Sequence, residues 1–281
     1  MFKRNLNRSL WGNIGVFFVL FLLGFVLFLP FVYVIGAAFK PLDEIFIFPP
    51  RMFPRSPTIN NFIELGQVVS NFWVPFTRYL FNSLLVSIVA TAGHIVLAGM
   101  AAYPLAKHDF VGKPIIQAAI RISLLFTAAV TYIPQYIVFS RLHMINTYAA
   151  ILFPAFQSSL GLYLMQNFMV QIPASMLEAA RVDGARELKI FWRVVMPNVK
   201  PAWITLMIFS FQGIWNSTGG TMIYKESIKT MPSLLTQISA GGIARAGVTS
   251  AATLIMILPP VLLFIVSQNK VIETMSTSGM K

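Results

Sequence analysis

The stretch "SMLEAARVDGARELKIFWRVVMP", residues 175–197, carries seven charged side chains in a chain that is only 11% charged and 57% hydrophobic. Charge-free runs adjoin it on both sides, 144–177 before it and 201–224 after it. A charged helical segment strung between two greasy runs is the mark of a loop that leaves a bilayer and returns to it. The rest of the chain fits that reading. Mean hydropathy is +0.73, and soluble domains carry about a quarter charged residues.

A hydrocarbon core of about 30 Å requires about 20 apolar residues as a helix. Six charge-free runs meet or nearly meet that length: 10–39, 79–106, 122–140, 144–177, 201–224 and 246–269. The shortest is preceded by Arg121, whose stem can snorkel to the headgroups. The expected fold is all-α, a polytopic membrane protein with six transmembrane helices. Its expected parts are a tail, first span and external loop at 1–71, a core at 72–268 containing the charged loop 172–200, and a polar tail at 269–281.

Lysine and arginine set the orientation. With the N-terminus inside, the cytoplasmic pieces hold 12 Lys/Arg in 60 residues and the external pieces 8 in 74. Both termini and the loop 172–200 are therefore expected in the cytoplasm. The first run is about twice the length of a signal-peptide core, so it reads as a retained span. The net charge of +12 serves topology and contact with membrane lipid. No basic stripe with interleaved aromatics accompanies it, which argues against nucleic-acid binding. Cysteine is absent from the sequence.

Between the first span and the core, "KPLDEIFIFPPRMFPRSPTINNFIELGQ" is rich in proline and turn formers and reads as an irregular external segment. The second run carries Ser83, Ser87, Ala90, Thr91, Ala98, Ala101 and Ala102, a small-residue stripe suited to close helix packing. None of the nine acids, Asp43, Glu44, Glu64, Asp109, Glu178, Asp183, Glu187, Glu226 and Glu273, lies within a run. Proton-coupled transport needs titratable groups at membrane depth. Metalloprotease, serine-hydrolase and Walker motifs are missing as well. The chain is read as no enzyme, with no catalytic residue, metal site or bound cofactor, and any energy for transport is expected from another protein.

Ser175 and Glu178 have the spacing of a capping box, and Gly184 suits a left-handed helix stop. A second helical piece, 185–195, is expected to close at Pro197. So short a capped helix is marginal in water alone. It is expected to lie against a partner or on anionic headgroups, with Ala179 and Ala180 allowing close approach and Arg181, Asp183, Arg186, Glu187, Lys189 and Arg193 at the wet rim.

Glu178-Ala179-Ala180, three residues, Gly184, nine residues, then Val194-Val195-Met196-Pro197 resembles the EAA motif, EAA-x3-G-x9-I-x-L-P, of permease subunits of binding-protein-dependent ABC importers. "NSLLVS" from Asn82, "YIPQYIVFSRLHMINT" from Tyr132, "VQIPASMLEAARVDGA" from Val170 and Trp215-Asn216 resemble the carbohydrate branch, and the first span is similar to that of the second, six-span permease of the maltose-type importer. The resemblance implies a type I ABC importer permease fold and a bacterial plasma-membrane location. It implies that Ser175, Glu178, Ala179, Ala180, Arg181, Asp183, Gly184 and Pro197 form a coupling helix in the cleft of a cytoplasmic ATPase subunit. The implied partners are a second permease subunit, two ATPase subunits that hold ATP and Mg, and an extracellular or periplasmic solute-binding protein.

Candidates for the substrate path of a sugar are Gln135, Gln157, Gln212, Trp215 and Asn216, uncharged hydrogen-bonding and aromatic groups, which serve equally as polar glue between helices. In the maltose-type importer the sugar is held chiefly by the other permease subunit. Thr221, Met222, Ile223, Tyr224 and Lys225 sit where a loop that probes the binding protein is expected. Two other readings stay open: an importer for another solute, such as a peptide or polyol phosphate, and a membrane scaffold or receptor that recruits an ATPase.

Overall fold

The computed structural model describes residues 10–70 and 74–278, so the expected tail at 1–9 lies outside the described residues. Among these, the regular elements are all helical and none is a strand. The principal helices are α1 (Leu10–Ala38), α2 (Asn60–Ser70), α3 (Phe76–Lys107), α4 (Lys113–Ser123), α5 (Ala128–Arg141), α6 (Ala149–Phe156) and α7 (Ser159–Val170). They continue as α8 (Ala174–Val182), α9 (Glu187–Asn198) and α10 (Lys200–Trp215), α11 (Met231–Ser239) and α12 (Ala246–Ser278).

Among the described residues, three continuous stretches are long and apolar enough to cross a membrane: Gly12–Ala38, Phe76–Lys107 and Gly242–Gln268. The run expected at 122–140 is divided between the end of α4 and α5, with a break at 124–127. The run 144–177 is divided among α6, α7 and the start of α8. The run 201–224 is helical only to Trp215. α12 extends to Ser278, through much of the segment expected as a tail.

Two compact units emerge: one of residues up to Val68 together with Gln237–Ile255, the other of Val69–Thr236 with the chain from Met256 onward. Residues 237–255, expected in the core, thus group with the N-terminal part. In that smaller unit α1 is apolar on every side and exposed over residues 12–28, as befits a helix bathed in lipid, and buried at its end over residues 36–38. Phe17, Phe21 and Phe25 stack at four-residue spacing, with centroids 6.4 and 6.5 Å apart. The proline-rich loop, expected to be irregular, is held by specific bonds. Asn61 Nδ2 donates to the carbonyls of Ala38 (2.9 Å) and Lys40 (2.7 Å) just past the end of α1. The Glu44 carboxylate accepts from the backbone of Arg55 (2.7 Å) and Ser56 (3.4 Å). Gly36 permits the loop to cross, because a Cβ there would stand 2.2 Å from the Met52 carbonyl oxygen.

In the larger unit α3 is the central post, packed against α6, α7 and α10. Ser83, Ser87, Ala90, Thr91, Ala98 and Ala102 are buried along it, and Ala101 is exposed. The packing is tight enough that a Cβ at Gly93 would meet the Phe156 ring at 2.3 Å. Small side chains at helical spacing let backbones approach, so van der Waals contact replaces the hydrophobic effect that lipid removes.

Candidate functional site

The quoted charged stretch folds as α8, a tight stop, and α9. α8 begins one residue earlier than the capping-box spacing requires. Pro173 is its N-cap, at φ −61° and ψ 139°, and no side chain caps it. Ser175 is therefore already helical and the Ser175–Glu178 box does not form. Proline's ring fixes an extended-to-helix corner at 173, and Ala174, the best helix former, follows at once.

The stop is as expected. Gly184 adopts φ +75°. Its N–H donates to Arg181 O at 2.9 Å, while the Ala185 N–H donates to Ala180 O at 3.0 Å, the paired bonds of a Schellman motif. Pro197 does not close the second piece. The backbone widens into a π-turn over Phe191–Val195 and runs through Pro197 to Asn198, then bends by 80° into α10. Asn198 Nδ2 donates to Val194 O at 2.7 Å, and Val199 N donates to Val195 O at 3.1 Å.

One side of α8 is anchored and the other is open. Leu177 is buried in a core of Met169, Ile172, Ile190, Phe191 and Val195. Ser175, Glu178, Ala179, Arg181, Asp183 and Gly184 are exposed, and Ala180 is half-buried. Beside them Val182 is 87% and Leu188 65% exposed.

A polar strap joins this segment to the end of α3. Glu187 accepts from Tyr103 Oη at 2.6 Å through one carboxylate oxygen and from Arg181 Nε at 2.9 Å through the other. His108 Nε2 lies 3.7 Å from the same carboxylate. The Tyr103 hydroxyl first, and the Arg181 guanidinium next, hold the Glu187 carboxyl below the usual carboxylate range. Lys107 Nζ donates to the carbonyls of Val170 (2.9 Å) and Ile172 (2.5 Å), satisfying orphan groups at the end of α7. α8 is thereby tied to the post.

The opposite end of α3 is clamped too. Asn82, wholly buried, donates to Ser227 O (3.0 Å) and Lys229 O (2.9 Å) and accepts from Tyr148 Oη (2.8 Å). Tyr79 Oη donates to Glu226 at 2.5 Å, and Met231 N donates to Ser83 Oγ at 2.7 Å. These bonds hold the loop containing Thr221, Met222, Ile223, Tyr224 and Lys225. Met222 and Ile223 are buried against Val86, Ala150 and Ile151. Thr221 N donates to Tyr132 Oη at 2.9 Å, and Lys225 N to Asn146 Oδ1 at 2.7 Å. Thr221, Tyr224 and Lys225 remain exposed.

Of the residues proposed for a substrate path, Gln135 and Gln157 line one cavity of about 810 Å³. Gln212, Trp215 and Asn216 are not among its lining residues. Asn216 Nδ2 turns back onto Gln212 O at 2.9 Å. Trp215 is 1% exposed, and its Nε1 donates to Met256 O at 2.9 Å. That carbonyl lacks its helical donor because Pro260 has no N–H, so the indole completes α12 where the proline opens it. Sequence reasoning missed Tyr103, Lys107 and Tyr148, and met Asn82 only as the start of "NSLLVS". Their only trace was a polar residue at the edge of an apolar run, with no sign of a partner sixty or more residues away.

The charged segment is thus a surface helix with an exposed Glu178-Ala179 face, joined to α3 through Glu187. Over residues 11–276 the sequence matches the family described as "Binding-protein-dependent transport system inner membrane component". The chain belongs to this family. It is 26% identical over 278 residues to the arabinooligosaccharides transport system permease protein AraQ of Halalkalibacterium halodurans, covering 96% of this chain and 95% of that one. It is 29% identical over 218 residues to the polygalacturonan/rhamnogalacturonan transport system permease protein YtcP of Bacillus subtilis, covering 75% and 72%. Its fold matches a chain in the crystal structure of a bacterial ABC transporter involved in the import of alginate, with a TM-score of 0.78 at 19% identity, over 96% of this chain and 99% of that chain. The fold is thus the all-α, multi-pass type I ABC importer permease fold that the sequence implied.

Proposed function

We propose that this chain is a permease subunit of an ATP-driven importer for a sugar or oligosaccharide, with α8 as its coupling helix. The observation that carries the reading is the exposed EAA face of α8, stopped at Gly184 and strapped through Glu187 to α3. A face of Glu178, Ala179 and Arg181 with bare Val182 and Leu188 beside it fits a cleft with an apolar floor and a charged rim. Two cytoplasmic ATPase subunits that hold ATP and Mg press on this face. A second, different permease subunit completes the membrane pathway, and a solute-binding protein delivers the sugar from outside, meeting Thr221, Tyr224 and Lys225. Both termini lie in the cytoplasm, within a bacterial plasma membrane. The chain itself contributes no catalytic group. The sugar assignment leans on what AraQ and YtcP are named for carrying.

Closure of the ATPase pair moves α8, and because α8 is tied to α3 the post moves with it. Alternating access is then a two-state shift of packed helices, biased by ATP bound elsewhere. The test is uptake by the assembled complex in proteoliposomes. Wild type is expected to accumulate arabinotriose only with ATP and binding protein. Glu178→Lys, which reverses the charge on the docking face, is expected to leave membrane insertion intact and abolish uptake. Full uptake by Glu178→Lys contradicts the assignment of α8.

A further inference from the structure

Two of the membrane runs are broken, and both breaks open onto one cavity. The first is 124–127, between α4 and α5. The second is Gln157–Ser158, between α6 and α7, where Gln157 takes φ −92° and ψ 88° and Ser158 caps α7 by accepting from Gly161 N at 3.2 Å. The flanking residues Ser123 and Ser159 bring the breaks together, their hydroxyl oxygens 2.6 Å apart. Backbone irregularity at membrane depth is tolerated where it is covered by protein or lines a cavity, and discontinuous helices mark solute sites in transporters.

The cavity of about 810 Å³ is of the size that takes a small solute. Its polar lining comes from Ser123, Thr131, Gln135, Gln157 and Ser159, and aromatic faces come from Phe126, Phe139 and Phe153. No Asp, Glu, Lys, Arg or His lines it. Among the described residues no side-chain hydrogen bond of Gln135 or Gln157 is present, which leaves each amide both a donor and an acceptor to offer. Amides and hydroxyls beside aromatic faces match the alternating edges and apolar faces of a sugar ring. The missing charges matter as much, since a carboxylate brought here from water would find no cation to offset its desolvation. Gln135 is half-buried and Gln157 exposed.

Resting on the importer reading, we propose that this chain itself contacts the translocated solute at the Gln135–Gln157 cavity, and that the part of the solute it contacts is an uncharged, polyhydroxylated sugar. The site lies on this chain and not only on the second permease subunit.

The experiment uses the complete complex in proteoliposomes, with arabinotriose as neutral probe and trigalacturonate as acidic probe. Wild type is expected to take up arabinotriose at least about tenfold faster than trigalacturonate, a ratio equivalent to ~1.4 kcal/mol. Gln135→Leu and Gln157→Leu are expected to lower arabinotriose uptake about tenfold each, a loss typical of leaving one sugar hydrogen bond unmade. Because the chain contains no cysteine, Gln157→Cys gives a second readout, and its alkylation by a small maleimide is expected to slow when arabinotriose is present during turnover. Unchanged uptake by both leucine variants, or alkylation indifferent to sugar, overturns the cavity while leaving the importer reading standing. A wild-type complex that hydrolyses ATP yet moves neither sugar overturns the importer reading and this inference with it.

Discussion

α3 and the α6–α7 pair are neighbours built from similar apolar material, yet one is a rod and the other is broken. α3 runs 32 residues without interruption. Its single proline, Pro104, falls in the last turn, and its buried small residues let three helices close on it. It is also fastened at both ends: Tyr79, Asn82 and Ser83 to the loop after α10, and Tyr103 and Lys107 to the segments around α8. α6 ends two residues after Pro154, and α7 starts afresh on its own serine cap. A continuous, fastened helix transmits displacement. An interrupted one gives up backbone bonds to shape a hollow and aim side chains into it. On the proposed function, the two neighbours divide the work of a permease, one carrying force and the other meeting solute.

The sharpest way to break the comparison is at the lower fastening. Gly184→Pro forces φ to about −65° where the chain needs +75° and removes the N–H that bonds Arg181 O. The local stop cannot form with proline there, so ATP-driven uptake should be lost while the subunit still inserts and assembles. Undiminished uptake in vesicles would mean that the stop at 184 has no part in coupling.

The upper fastening is expected to show mainly as stability. Asn82→Leu leaves the Ser227 and Lys229 carbonyls and the Tyr148 hydroxyl without their partner. The expected cost is about 3 kcal/mol, read as a lower melting temperature of the detergent-solubilised complex together with faster proteolysis of the loop 219–230. A melting curve identical to that of wild type would show that this end of the rod is held by packing alone.

Much of this was legible in the sequence, and the reasons for the rest are physical. The apolar runs, the left-handed Gly184 and the packing stripe on α3 depend on local spacing, which a sequence displays directly. The break at Gln157–Ser158 left a partial trace in Pro154 and a serine able to cap. The break at 124–127, "LLFT", left none, because nothing in those residues forbids a helix and only tertiary packing interrupts it. The capping box failed for a local reason that could have been seen, since Pro173 followed by Ala174 starts a helix before Ser175 is reached. Trp215 attracted attention as a sugar platform, but its indole completes the hydrogen bonding of a carbonyl that Pro260 leaves open, 41 residues away. Long-range pairings such as Tyr103 with Glu187 and Asn82 with Tyr148 depend on the fold as a whole, and the sequence offers only the lone polar residues that will make them.

The claim that α8 and α3 move as one body can be tested by a pair of spin labels at Ala174→Cys, exposed at the start of α8, and Val89→Cys on the exposed face of α3. The distance between them is to be measured in the assembled complex with and without ATP. The account expects one narrow distribution whose centre and width stay the same in both states. A broad distribution, or one that shifts when ATP is added, would show that the coupling helix swings independently of the post.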